Sequence, residues 1–203
     1  MDKIDLKKHL KHLYGPNAKK VVAVDVPAMN FLMVNGIGDP GKSKSFSEAI
    51  EALYPLAYTL KFRVKRGGIG IDYGVMPLEG LWWADDMTAF TSGKRDDWKW
   101  TLMIMQPEWI TGDMVELAIA EVAKKKDPPA LPLVRFETFK EGPSAQILHI
   151  GPFSEEGPTI EKVHVYIQDS GHPLRGKHHE IYLSDMRRTA PERLKTILRQ
   201  PMG

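Results

Sequence analysis

The stretch AQILHIGPFSEEGPTIEKVHVYIQD, Ala145–Asp169, decides how this chain is read. Ala145 to Ile150 is a short apolar run, as expected of a strand. Gly151 to Pro158 carries two glycines and two prolines and reads as a loop. From Thr159 to Asp169 apolar residues return at Ile160, Val163 and Ile167, the spacing of a helix with one buried face. Val134–Phe139 (strand) and Glu141-Gly142-Pro143 (turn) precede this stretch. His179–Leu183 and Leu194–Arg199, both read as strands, follow it.

Moving towards the N-terminus, the same grammar appears once more. Val21–Val26 reads as a strand, Pro27-Ala28-Met29-Asn30 as a turn and Phe31–Val34 as a second strand. A glycine-bearing loop, Asn35–Gly41, leads to Ser45 and Glu48, a capping box that opens a helix. Phe46, Ile50, Leu53, Ala57 and Leu60 form the buried stripe of that helix, and Pro55 inside it predicts a kink or local break. Strands are expected over Val75–Trp83 and Trp98–Met105. A helix is expected over Thr111–Lys126, with Met114, Leu117, Ala118, Glu121 and Val122 on its face. Each half closes on Gln-Pro, at Gln106-Pro107 and Gln200-Pro201. Ordered correspondences of this kind predict an α+β fold of two strand–helix–strand–strand modules. These are expected to have antiparallel sheets, a pseudo-twofold relation and a central ligand cleft.

Asp127-Pro128-Pro129 marks the boundary, so the modules are expected at about 20–126 and 130–203. Residues 1–19 form an N-terminal cap, with Leu6, Leu10 and Leu13 predicting an amphipathic helix over Asp2–Tyr14.

Composition narrows the function. With 28 basic and 26 acidic residues among 203, no net field favours nucleic acid or a membrane surface. The absence of cysteine excludes disulfides, thiol nucleophiles and thiolate metal sites, and fits a reducing compartment. The charged N-terminus has no apolar core of a secretory signal, and no apolar run approaches the roughly 18 residues of a membrane helix. A cytoplasmic protein is expected, as a monomer or a homodimer. His172, His178 and His179 lie close in sequence without a metal-binding spacing, so neither metal nor cofactor is expected. Gly67-Gly68-Ile69-Gly70 lacks the Lys-Ser/Thr of a phosphate loop, and no G-x-S-x-G elbow marks a serine hydrolase.

Two groups of residues bear on chemistry. In His179–Leu183 alternation sends Ile181 and Leu183 to one face, expected under the helix, and Glu180 and Tyr182 to the other. Burying an unpaired charge is costly, so this acid beside a phenol is either a pocket acid or an exposed edge-strand residue paired with Arg187 or Arg188. All five tryptophans fall between positions 82 and 109, in strands or just beyond one. Trp98 and Trp100 share a face, whereas Trp82 and Trp83 point to opposite faces. Each is either core or pocket wall, and at least one wall is expected among the five. Flat rings beside a carboxylate suit planar cations, at about 0.5–2 kcal/mol per contact. Met76, Met103 and Met105 add adaptable surface, and Tyr54 and Tyr58 form an i, i+4 pair.

The HEIYLSD strand, the ILHIGPFSEE loop into a helix, the LEGLWW segment and WKWTLMIMQPEWIT together resemble the GyrI-like small-molecule-binding family over about residues 20–201. With no helix-turn-helix before the domain, the chain resembles a stand-alone member. The resemblance implies binding of planar aromatic, often cationic, multidrug-type ligands, with no direct contact to nucleic acid. It assigns Glu180 as the central acid and Tyr182 as its aromatic neighbour. Trp83, Trp100, Tyr58, Met105 and Trp109 are the expected lining. The double Trp and MIMQP segment are similar to a subgroup whose members hydrolyse cyclopropane-bearing, DNA-alkylating natural products and protect the cell. In that alternative Glu180 and Tyr182 are catalytic.

Overall fold

The computed structural model describes residues 2–85 and 94–203. In chain order its elements are β1 (Asp2–Ile4), α1 (Leu6–His9), α2 (Lys11–Tyr14), β2 (Val22–Ile37), α3 (Lys44–Arg66), β3 (Ile71–Tyr73), β4 (Leu78–Trp83), β5 (Lys99–Gln106), α4 (Gly112–Lys125), β6 (Arg135–Ile150), α5 (Gly157–Asp169), β7 (His178–Tyr182) and β8 (Lys195–Pro201). The fold is α+β, and the repeat holds in element order. A 16-residue strand, a helix and two further strands recur as β2-α3-β4-β5 and β6-α5-β7-β8. The chain folds as two compact units that share strands. The first comprises Met1–Leu6, Met29–Met76 and Trp82–Phe139, and the second Lys7–Ala28, Pro77–Leu81 and Lys140–Gly203.

Several local expectations are corrected. Both turns before the ladders, at 27–30 and 141–143, are strand, and the chain runs through them. Pro27 and Pro143 precede Asn30 and Ser144, where pairing with β5 and β8 starts, so their missing N–H groups fall outside those ladders. The N-terminal helix is interrupted. Asp2–Ile4 instead pairs in parallel with Ile71–Tyr73, because a strand partner outweighs weak helical periodicity. The Ser45–Glu48 capping box does not form. Ser43 is the N-cap, without a side-chain cap bond, and its hydroxyl lies 2.7 Å from that of Ser45. Pro55 does not break α3, which is continuous over 23 residues. The carbonyl it leaves without a donor belongs to Glu51, an exposed residue that water can serve. On α4 the buried face is Val115, Ala118 and Val122, while Leu117 is 56% exposed, so the stripe is turned by one position.

In the first unit Phe31–Val34 of β2 pair antiparallel with Leu102–Met105 of β5, and Leu53, Leu56 and Leu60 of α3 are fully buried. Gly36 faces Trp100 across this ladder, and a Cβ there would fall 2.0 Å from the indole. Only glycine admits the ring at that point. Phe46 lies stacked on Trp82 at 5.9 Å and edge-on to Trp100 at 5.1 Å.

In the second unit β8 lies between β6 and β7, and β7 lies between β8 and β4. Antiparallel partners project to the same side of a sheet, so register assigns faces. Ile147, Leu198 and Glu180 share one face, and Gln146, Arg199 and His179 share the other. Val163 and Ile167 of α5 pack with Ala145, Ile147, Leu198 and Met202. The first face is therefore the one that α5 covers.

Candidate functional site

The strand His178–Tyr182 carries two polar clusters, one on each face. On the face away from α5, His179 is fully buried. Its Nε2 lies 2.9 Å from Glu79 Oε2, and its Nδ1 lies 3.0 Å from each oxygen of Glu141. Tyr14 Oη donates to Glu79 Oε1 at 2.7 Å. Arg199 donates to Glu141 at 3.1 Å, to Gln146 at 2.9 Å and to the Leu13 carbonyl at 2.8 Å. Gln146 in turn donates to the His12 carbonyl. Burial by itself pushes the His179 imidazole down. The charge and hydrogen bonds of Glu141, then Glu79, outweigh it and raise the group to about 9. Burial pushes Glu141 up, but His179 and Arg199 together bring it down to about 2. Burial and the charge of Glu79 hold the Tyr14 phenol well above its ordinary value.

On the α5 face the cluster is open. Tyr182 Oη donates to Glu180 Oε2 at 2.7 Å, so the two side chains expected together do meet. The Glu180 side chain is only 15% exposed, and β7 is hydrogen-bonded on both sides, so it is not an edge strand. Arg187 binds Asp185 at 3.2 Å. The expectation that Glu180 points away from the helix is corrected. Alternation pairs Glu180 with Tyr182 but does not say which face α5 covers, and the β8 register does. Phe153, in the 3-10 turn Phe153–Glu155, stands edge-on to Tyr182 at 5.8 Å. His178 Nε2 lies 3.5 Å from Glu180 Oε1, and neither of its ring nitrogens has a hydrogen-bond partner among the described residues.

Glu156 completes this cluster, and sequence reasoning missed it. It sits at the N-cap of α5 without capping it, is 4% exposed, and its Oε1 has no hydrogen-bond partner among the described residues. Burial first, and the charge of Glu180 second, raise its carboxyl to about 9 against a hydrogen bond from Thr196. A helix N-terminus stabilises a neighbouring anion by only about 0.3–1 kcal/mol, which is too little to reverse that. The available signal was an acid before Gly157-Pro158 at a helix start, in a position where its side chain makes no cap. His149, with Nδ1 3.0 Å from the Thr159 hydroxyl, leaves its Nε2 unpartnered as well. A strand acid with a phenol donor beside a second, protonated carboxyl can accept one proton and give another.

The remaining expected residues lie in the first unit. Trp100 is fully buried and Met105 is 3% exposed. Trp83 is half-buried. Tyr58 is 47% exposed and stacks with Phe62 at 6.5 Å. Trp109 stands edge-on to Tyr73 at 5.8 Å, and the indole N–H and the phenol are both buried without a hydrogen-bond partner among the described residues. Among the described residues no group of three or more His, Asp or Glu side chains is arranged to hold a metal ion. No helix among them is long and apolar enough to cross a membrane.

Residues 19–201 match the family model of the GyrI-like small molecule binding domain. No curated protein matches the chain. Among solved structures, an uncharacterized conserved protein from Listeria innocua is 41% identical with a TM-score of 0.90, covering 98% of this chain and 100% of that one. A hydrolase from Listeria innocua is 40% identical with a TM-score of 0.87, covering 100% of both chains. Another match, also a hydrolase from that organism, is 39% identical with a TM-score of 0.86, covering 98% of this chain and 100% of the other.

Proposed function

We propose that this chain, which belongs to the GyrI-like small-molecule-binding family, binds a planar, ring-bearing electrophile beside Glu180 and hydrolyses it, opening a strained ring such as a cyclopropane. The observation that carries this reading is the Tyr182–Glu180 bond on the α5 face. A carboxylate held by a phenol at 2.7 Å keeps one orientation and retains lone pairs for a water molecule. Glu180 is then the general base and Tyr182 the positioning group, since its hydroxyl proton is already directed at Glu180. A cyclopropane conjugated to a carbonyl stores strain and alkylates readily, so one positioned base is enough to favour water as the nucleophile. The hydrolases from Listeria innocua, similar over the full chain, support hydrolysis over binding alone.

The second reading is sequestration without turnover, with planar aromatic cations held by Glu180 and aromatic side chains. It is favoured by the acid itself, since a mostly buried carboxylate attracts a cation strongly. A monomer or homodimer in the cytoplasm is the proposed setting.

One experiment separates the two. The protein is mixed with a cyclopropane-bearing alkylator, and the ring-opened water adduct is followed by mass spectrometry. Hydrolysis predicts multiple turnovers and a loss of about a hundredfold in Glu180→Gln. Quenching of tryptophan fluorescence by the compound, with product formation equal to the buffer blank, would reject hydrolysis and leave binding.

A further inference from the structure

Glu156 and the two residues that act on it come from three different elements. Glu156 stands at the start of α5, Glu180 on β7 and Thr196 on β8, where Thr196 is the ladder partner of Tyr182. Phe153 fixes the turn before Glu156 against the Tyr182 ring. The carboxyl is thus anchored at one oxygen by the Thr196 hydroxyl, while Oε1 is buried and unpartnered. A buried polar atom left without a hydrogen bond costs stability, and a fold keeps such an atom where a bound molecule supplies the partner. Glu180 is the charge that raises its carboxyl, and His149 belongs to β6, beside Thr196 in the ladder.

We infer that Glu156 is the proton donor of this site, the acid to the base of Glu180. The inference rests on the hydrolytic reading above and adds a second catalytic group to it. Ring opening sends the electrons of the breaking C–C bond to the conjugated carbonyl oxygen of the substrate. Water forms the new C–O bond at the ring carbon and gives one proton to Glu180. The carbonyl oxygen becomes a hydroxyl by taking the proton of Glu156. At the end Glu180 is protonated and Glu156 ionised, and one transfer from the first to the second restores the site. No hydrogen bond joins Glu156 Oε1 to Glu180, so the return passes through a water molecule between the two carboxyls.

The test uses the full chain and a spirocyclopropyl-cyclohexadienone alkylator, in wild type, Glu156→Gln and Glu180→Gln. Three results are expected. At pH 7 the infrared C=O stretch of a protonated carboxyl is present in the wild type and lost in Glu156→Gln. The wild-type rate falls as pH rises through about 9, the value to which burial and Glu180 push Glu156. In Glu156→Gln the rate drops by about a hundredfold and the alkaline fall disappears. Turnover in Glu156→Gln at the wild-type rate with the same alkaline fall would overturn the inference and leave hydrolysis standing. Wild-type turnover equal to the buffer blank would overturn hydrolysis, and the inference with it. Absence of the protonated-carboxyl band from the wild type would overturn the inference whatever the rates. Gln is neutral and of the same shape, so the variant is expected to fold, and far-ultraviolet circular dichroism checks this.

Discussion

The two faces of β7 carry polar groups whose charges are answered in opposite ways, fully buried on one side and partly buried on the other. Behind the strand, His179 and Arg199 answer Glu79 and Glu141, and the remaining donors find Gln146 and two backbone carbonyls. In front of it, the charge of Glu180 keeps the neighbouring Glu156 carboxyl protonated, and Glu156, His149 and His178 leave polar atoms unmet among the described residues. A closed network of this kind holds a shape, whereas an open one reserves its free valences for something that arrives. Adjacent residues of one strand, His179 and Glu180, thus serve architecture and chemistry in turn.

The closed network depends most on Arg199. Arg199→Met should destabilise the fold by about 3–5 kcal/mol, since it takes a charged donor from the buried Glu141 carboxylate and leaves the Gln146 amide oxygen and the Leu13 carbonyl unmet. Urea unfolding measures this, and a loss below about 1 kcal/mol would mean the network contributes little.

The same network makes stability depend on pH. His179 is raised from 6.5 to about 9, so its stabilisation is complete below pH 6.5 and lost as pH rises to about 9. Glu141 is lowered from 4.5 to about 2, so its share is complete above pH 4.5 and lost as pH falls to about 2. Each spans about 3 kcal/mol. Unfolding midpoints across pH 2–10 should therefore peak between about 4.5 and 6.5. A flat profile on the alkaline side would contradict a charged His179.

At the open side, Glu180→Gln should lower ring-opening turnover by about a hundredfold, roughly 2.7 kcal/mol in barrier, while leaving the unfolding midpoint within about 0.5 kcal/mol of wild type. A large loss of stability would move Glu180 into the closed class.

The smallest effect has the opposite sign. Glu156 is an acid raised from 4.5 to about 9, so folding costs more as pH climbs through that window. Glu156→Gln should stabilise the protein by at least about 1 kcal/mol at pH 8, with the gain vanishing near pH 4.5. Destabilisation at pH 8 would mean the carboxyl is satisfied as an anion.

Sequence alone determined the repeat and the meeting of Glu180 with Tyr182, because helical and strand periodicities are local and a two-residue step returns a side chain to the same face. It did not determine that the long strands run through Pro27 and Pro143, since that depends on where each ladder begins. Nor could it say which face of β7 lies under α5, which the pairing of Glu180 with Leu198 decides. Glu156 escaped for the same reason. Its acid strength comes from Glu180 and its anchor from Thr196, residues far along the chain, and only tertiary contact makes a buried carboxyl out of a loop glutamate.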